Sequence, residues 1–166
     1  DELGAWHEAM RDHVDQGEVS VAVVNRAFEA TAPLARPLYV YRGLRGDHAA
    51  EVAKLPVGAI YTPGALASAS LSSSVAENFS SGGRGEQRDR TVLAIRIPPG
   101  GKVLPVTVHE AMVGRGEDAG DLEVLIPDAS YRVVSHRRAY MPGHLYKVTT
   151  FTRLELILPG NRLHAR

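Results

Sequence analysis

The order of patterns along the chain predicts an α+β fold, with N-terminal helices packed on two mostly antiparallel β-sheets. Helical periodicity of any length is confined to the chain before Pro33. From Leu38 onward, short segments alternate with a period of two and are separated by turns rich in glycine and proline. No strand–helix–strand alternation is visible, and neither a GxGxxG nor a Walker A loop occurs, which argues against a doubly wound nucleotide-binding domain.

Leu3, Trp6, Met10 and Val14 fall at helical spacing with Glu2, Glu8, Arg11 and Asp12 between them, so the chain opens with an amphipathic helix ending near Gly17. Val21, Val24 and Phe28 continue that spacing through Ala30, although three valines leave a strand open there. After Pro33 and Pro37, Leu38 and Val40 alternate with Tyr39 and Tyr41 in a first strand that ends at Arg42-Gly43. Asp47 is placed to cap a short helix reaching Lys54. Gly58 to Tyr61 and Leu66 to Ser70 read as extended pieces around the Thr62-Pro63-Gly64 turn. Ser74-Val75-Ala76-Glu77 fits a capping box opening a brief helix through Phe79.

A glycine-rich polar loop over Ser80 to Arg90 precedes a strand over Thr91 to Ile97, and a short strand over Lys102 to Val106 follows. A longer loop, Thr107 to Gly120, leads into Asp121-Leu122-Glu123-Val124-Leu125-Ile126-Pro127. Residues two apart on a strand share a face, so Asp121 and Glu123 project together. Tyr131 to His136, Leu145 to Thr150 and Thr152 to Leu158 supply further β segments. The whole reads as one domain over 1–166, with a helical segment over about 1–32 and a β core over about 38–160.

The 166 residues are enough to bury a core without disulfides or metals. Lysine plus arginine equal aspartate plus glutamate at 19 each, so the chain as a whole carries no electrostatic signature for nucleic acid or an anionic membrane; a local basic face is still compatible with that balance. The absence of cysteine excludes a disulfide framework, cysteine-ligated zinc and a thiol nucleophile. The seven histidines form no HExxH or close pair, so no metal is expected. No apolar run approaches the roughly 20 residues that span a bilayer, and a soluble chain without a membrane partner is expected. It begins at Asp1 rather than methionine, so an upstream delivery module is an open expectation.

Three pieces carry the chemistry: Tyr41-Arg42-Gly43 at a strand end, Ser68-Ala69-Ser70 before a capped helix, and Asp121-Leu122-Glu123 opening a strand. Taken singly, Arg42 reads as a solvent-facing strand arginine, the serines as members of a small-residue turn, and the acids as charges guarding a strand end. Their order and flanks, from Leu38 to Arg132, resemble the arginine–serine–glutamate class of mono-ADP-ribosyltransferases, bacterial toxins and related ectoenzymes that split NAD and transfer ADP-ribose.

The resemblance implies the ADP-ribosyltransferase-like fold, with NAD as co-substrate and no metal. Arg42 then binds the NAD phosphates, for which a permanently charged, forked guanidinium is suited. The backbone of Gly43 holds the nicotinamide carboxamide. Ser68-Ala69-Ser70 corresponds to the family's Ser-Thr-Ser motif, with Ser68 orienting the catalytic carboxylate and contacting ribose, and Ser70 bracing the site. Glu123 corresponds to the catalytic glutamate, set against the positive charge that develops on ribose as the nicotinamide bond breaks.

Three positions depart from the family pattern. Ala69 replaces the central threonine, Leu66 an aromatic, and Asp121 the first acid of a Glu-x-Glu pair. Asp121 prepares the acceptor in this reading, yet falls short of glutamate by one methylene, about 1.5 Å of reach. The loop over Thr107 to Gly120 matches the target-recognition loop but lacks its aromatic anchor. Arg115 and Glu117 in it read as solvated charges, His109 as a weak candidate for substrate contact, and Arg96 as an ordinary surface residue. The resemblance implies a secreted or delivered bacterial effector acting in a target-cell cytoplasm, a macromolecular acceptor with protein preferred to nucleic acid, and an immunity protein as a possible partner. NAD glycohydrolysis, transfer to nucleic acid and an inactive NAD-binding module are the alternatives.

Overall fold

The computed structural model describes residues 21–63, 67–81, 89–105, 123–140 and 148–159. The predicted first helix, Leu66, the loop over Thr107 to Gly120 with His109, Arg115 and Glu117, and Asp121 lie outside the described residues. In chain order the elements are α1 (Val21–Ala30), β1 (Leu38–Arg45), α2 (Gly46–Ala53), β2 (Ile60–Tyr61), β3 (Ala67–Ser70), α3 (Ser73–Ser81), β4 (Arg90–Ile97), β5 (Leu104–Pro105), β6 (Glu123–Ile126), β7 (Tyr131–Tyr140) and β8 (Val148–Leu156). Among the described residues no helix is long and apolar enough to cross a membrane.

The α+β class is as expected. Among the described residues the strands form one eight-stranded sheet in the order β2-β7-β8-β4-β1-β3-β6-β5, in which only the β4–β8 pair is parallel. The expected division into two sheets survives as a seam. β1 and β4 pair along eight registered positions, whereas β1 and β3 meet at the single register pair Tyr41↔Ser70. The three-stranded part β3-β6-β5 is thus hinged to the five-stranded part at one point.

Several local expectations shift. The three valines follow the helical reading, and Phe28 is buried. Asp47 lies inside the first turn of α2 rather than at its cap; Arg45 occupies the cap position and makes no side-chain capping bond. A negative charge in a first turn still favours the helix dipole. α3 starts at Ser73, one residue before the predicted capping box. The two predicted segments around Phe151 form a single strand, β8, because the run of alternating residues pairs continuously along β4 and, apart from a register shift between Val133 and Ser135, across to β7.

Alternation along β1 sends Val40, Arg42 and Leu44 to one face and Tyr39, Tyr41 and Gly43 to the other. The first face meets the core, built from Val40 and Leu44 of β1, Leu93, Ile95 and Ile97 of β4, Val124 and Ile126 of β6, and Tyr131 and Val133 of β7. α2 closes one side of that core with Ala49 and Val52, and the buried Thr91 hydroxyl donates to the Ala49 carbonyl at 2.8 Å. Against the other face lies α3. Its Ala76 carbonyl packs directly on Gly43, where a β-carbon would stand 2.1 Å from that oxygen. Only glycine allows this approach.

Candidate active site

The seam between β1 and β3 is where the predicted residues meet. Ser68 sits opposite Leu125 and Ser70 opposite Glu123 across the β3–β6 ladder, so Ser68, Ser70 and Glu123 share one face and Ser68 is the diagonal neighbour of Glu123. The Ser68 hydroxyl donates to Glu123 Oε1 at 2.5 Å. That length is within the range for a hydroxyl on a carboxylate. On the opposite face, Ala67, Ala69, Val124 and Ile126 join the core, which fixes the register: a slip of one residue would bury the glutamate and expose the core side chains. Ala69, where the family has threonine, is a buried core residue.

Arg42 begins on the core face of β1, opposite to the face that carries Glu123. The single β1–β3 pair leaves room beside it, and Arg42 Nη1 donates to the Ser68 carbonyl at 2.8 Å, bridging the seam. Arg42 and Glu123 are therefore tied to the same residue, one through its backbone and the other through its hydroxyl. Ser70 is buried, and its hydroxyl accepts from the Ser72 backbone N–H at 3.0 Å, turning the chain from β3 into α3. Together with Tyr41 and Phe79, these residues line a cavity of about 250 Å³.

Burial lowers the pKa of Arg42 from its ordinary value, and the nearby Tyr61 and Tyr131 act in the opposite direction. A guanidinium keeps its proton regardless. A partly desolvated, permanent cation at the cleft is a strong attractor for an anionic ligand.

Burial also raises the pKa of both tyrosines, with Arg42 opposing. They face each other across the β2–β7 pair. Tyr131 donates to the Pro127 carbonyl at 2.7 Å, and the Tyr61 hydroxyl is 2.9 Å from His48 Nε2. Sequence reasoning gives these tyrosines no part in the site. The cross-strand register that brings them together joins residues seventy positions apart in the chain and leaves no local signal.

The cavity rim holds a second unforeseen contact. Phe79 is 59% exposed, and the Arg45 guanidinium carbon lies 5.0 Å from its ring centroid. Gly43 lines the cavity, and it is also the point where α3 rests on β1. Arg96, read as an ordinary surface residue, forms an ion pair with Glu155 at 3.3 Å. Among the described residues no group of three or more His, Cys, Asp or Glu side chains is arranged to hold a metal ion.

No protein-family model matches the chain, and no curated protein matches it. Solved structures do. Plx2a, an ADP-ribosyltransferase toxin from Paenibacillus larvae, has a TM-score of 0.63 at 17% identity over 94% of this chain and 85% of that one. An ADP-ribosyltransferase from Clostridium botulinum has a TM-score of 0.60 at 16% identity over 93% and 86%. Exoenzyme S from Pseudomonas aeruginosa, in complex with human 14-3-3 protein beta and bound to carba-NAD, has a TM-score of 0.59 at 18% identity over 95% and 68%. The chain has the fold of these ADP-ribosyltransferases.

Proposed function

We propose that the chain is an NAD-dependent mono-ADP-ribosyltransferase of the arginine–serine–glutamate class. The observation that carries the reading is the double use of Ser68: its carbonyl takes the Arg42 guanidinium and its hydroxyl takes Glu123, within one cavity. The toxin fold of the neighbours and the carba-NAD bound to exoenzyme S support NAD as co-substrate.

At about 250 Å³ the cavity is smaller than the roughly 300–1,000 Å³ of sites that enclose a drug-sized ligand. It suits one end of a dinucleotide, with the remainder lying along the open side. Arg42 attracts the pyrophosphate, and Tyr41 and Phe79 give the apolar walls a nicotinamide ring wants.

The bond between nicotinamide and ribose breaks with its electron pair leaving on nicotinamide, and positive charge develops on the ribose ring. Glu123, oriented by the Ser68 hydroxyl, is the fixed carboxylate beside that charge. An acceptor lone pair then bonds to the ribose carbon, and the acceptor loses its proton. Asp121, two residues before Glu123 in the sequence, is assigned to receive it.

The same likeness supports a toxin or effector role, with action inside a target cell after delivery. The test is incubation of the chain with labelled NAD and a cell lysate, reading nicotinamide release and label transfer together. Glu123→Gln is expected to cut both by on the order of 100-fold or more. Full activity in that variant would overturn the site assignment. Asp121→Ala is expected to lose transfer while retaining NAD hydrolysis; equal loss of both would count against the division of roles. Nicotinamide release without any labelled macromolecule would make the chain an NAD glycohydrolase. Tight NAD binding with no turnover would make it a binding module.

A further inference from the structure

The balanced charge of the chain hides an uneven surface. The face of the sheet that carries Tyr41 and Gly43 continues across β4 and β8 to β7, and register fixes which residues share it. One cross-strand row runs Tyr39, Arg96, Glu155, Arg132; the next runs Tyr41, Ala94, Arg153, Ser135; the third runs Gly43, Val92, Phe151, Arg137. Arg132, Arg137 and Arg153 are exposed, and no described carboxylate forms an ion pair with them. Glu155 stands among them and is engaged by Arg96.

Aromatic rings are set into the same face. The Arg137 guanidinium carbon lies 4.9 Å from the Phe151 ring centroid, and Tyr39 is half exposed. Neighbouring strands lie about 4.8 Å apart, so Arg153 is roughly 10 Å from the cavity residue Tyr41 along its row.

We propose that this face docks a single-stranded nucleic acid and presents it to the cavity as the ADP-ribose acceptor. The proposal rests on the transferase reading above and departs from the protein acceptor that family resemblance implies. Charge complementarity carries it. Three guanidiniums on neighbouring strands form an anion-binding surface suited to phosphate, which a planar fork recognises in bidentate fashion. Half-exposed Tyr39, and Phe151 sandwiched with Arg137, supply stacking surface for splayed bases, and the combination of a basic track with aromatic platforms is the pattern of single-strand binding. An acidic protein segment would use the charges but has no need of the rings. In the transfer step an acceptor nitrogen or oxygen of the strand bonds to the ribose carbon as nicotinamide departs with the electron pair, and the acceptor's proton is released.

The experiment uses the whole chain and a fluorescent 20-nucleotide single-stranded RNA, with binding read by anisotropy across a salt series and a polyglutamate peptide as competitor. Nicotinamide release from NAD without acceptor is measured in parallel. The double variant Arg132→Glu with Arg153→Glu is expected to weaken RNA binding at least tenfold. It should lower the slope of log affinity against log salt by about 1.4, at roughly 0.7 per single-strand phosphate contact, and abolish labelling of the RNA. Nicotinamide release should be unchanged in that variant, which shows that it folds. Arg132→Lys with Arg153→Lys should retain most of the binding.

RNA binding that is equal in the wild type and the glutamate variant overturns the proposal, as does polyglutamate binding as tight as RNA with label found only on protein. A wild-type chain that releases nicotinamide but does not bind RNA overturns the docking surface alone. A chain that binds RNA but releases no nicotinamide overturns the transferase reading and the acceptor role with it.

Discussion

The carbonyl of Ala76 closes over Gly43 so tightly that a β-carbon at residue 43 would stand 2.1 Å from its oxygen and 2.7 Å from the Ser80 nitrogen. Both are backbone atoms, so no side chain can swing aside. Gly43→Ala must push α3 away from β1, and overpacking of this kind costs about 1–3 kcal/mol or more. We expect the upper end of that range, because the obstacle is a helix. The lining residues Ala76 and Phe79 ride on α3, so NAD affinity should fall together with stability. Urea unfolding and NAD titration of the same variant check both; an alanine variant of wild-type stability would contradict the packing described for this position.

The bridge from Arg42 to the Ser68 carbonyl predicts that lysine cannot replace the arginine. A lysine has the charge and three donors, but all on one nitrogen, and it cannot hold the Ser68 carbonyl and a phosphate with one planar fork. Arg42→Lys is expected to weaken NAD binding by at least tenfold, and Arg42→Ala to weaken it further. Calorimetric titration with NAD measures both. Equal affinity in Arg42→Lys and the wild type would remove Arg42 from the binding site.

The hydroxyl of Ser68 is the donor that orients Glu123, and the side chain is exposed. Its removal should therefore leave stability within about 0.5 kcal/mol, as for most surface substitutions. Nicotinamide release should nevertheless fall by about 10- to 100-fold, since a reacting group displaced by about 1 Å loses on that scale. The effect should be on kcat more than on KM. A purely structural serine would give the opposite pattern, with a stability loss and little change in turnover.

The site is legible in the sequence wherever strand alternation alone determines it. Ser68 and Ser70 are two apart on β3, and the core residues that alternate with them and with Glu123, namely Ala67, Ala69, Val124 and Ile126, declare which face is buried. Arg42-Gly43 stands out because glycine after an alternating run reads as a strand end, although β1 continues to Arg45 in its ladder with β4. The reach of Arg42 across the seam does not stand out, because it depends on β1 and β3 pairing at one position only among the described residues. The tyrosines around Arg42 and the arginine rows on the outer face share this difficulty. Each depends on the register of strands distant in sequence, and a net charge of zero averages the arginines away. The seam itself reads from sequence as two separate sheets, since periodicity reports which face a residue occupies and not where one ladder ends.

The same tyrosines give the protein an alkaline limit. Burial raises the pKa of Tyr61 and Tyr131 in the folded chain, whereas an unfolded tyrosine ionises near pH 10. Above that pH the unfolded state holds fewer protons than the folded one, so stability is fully present below about pH 10 and is lost as pH rises further. Arg42 has its pKa lowered and works in the opposite sense, but a guanidinium keeps its proton throughout this window. Urea unfolding at intervals from pH 8 to 11 should therefore show a decline that begins near pH 10. Tyr131→Phe lacks the bond to the Pro127 carbonyl and should lose about 1 kcal/mol at every pH. Its decline above pH 10 should nonetheless be shallower than that of the wild type, because one buried titrating group is gone. An equally steep decline in Tyr131→Phe would mean that the alkaline limit is set elsewhere in the chain.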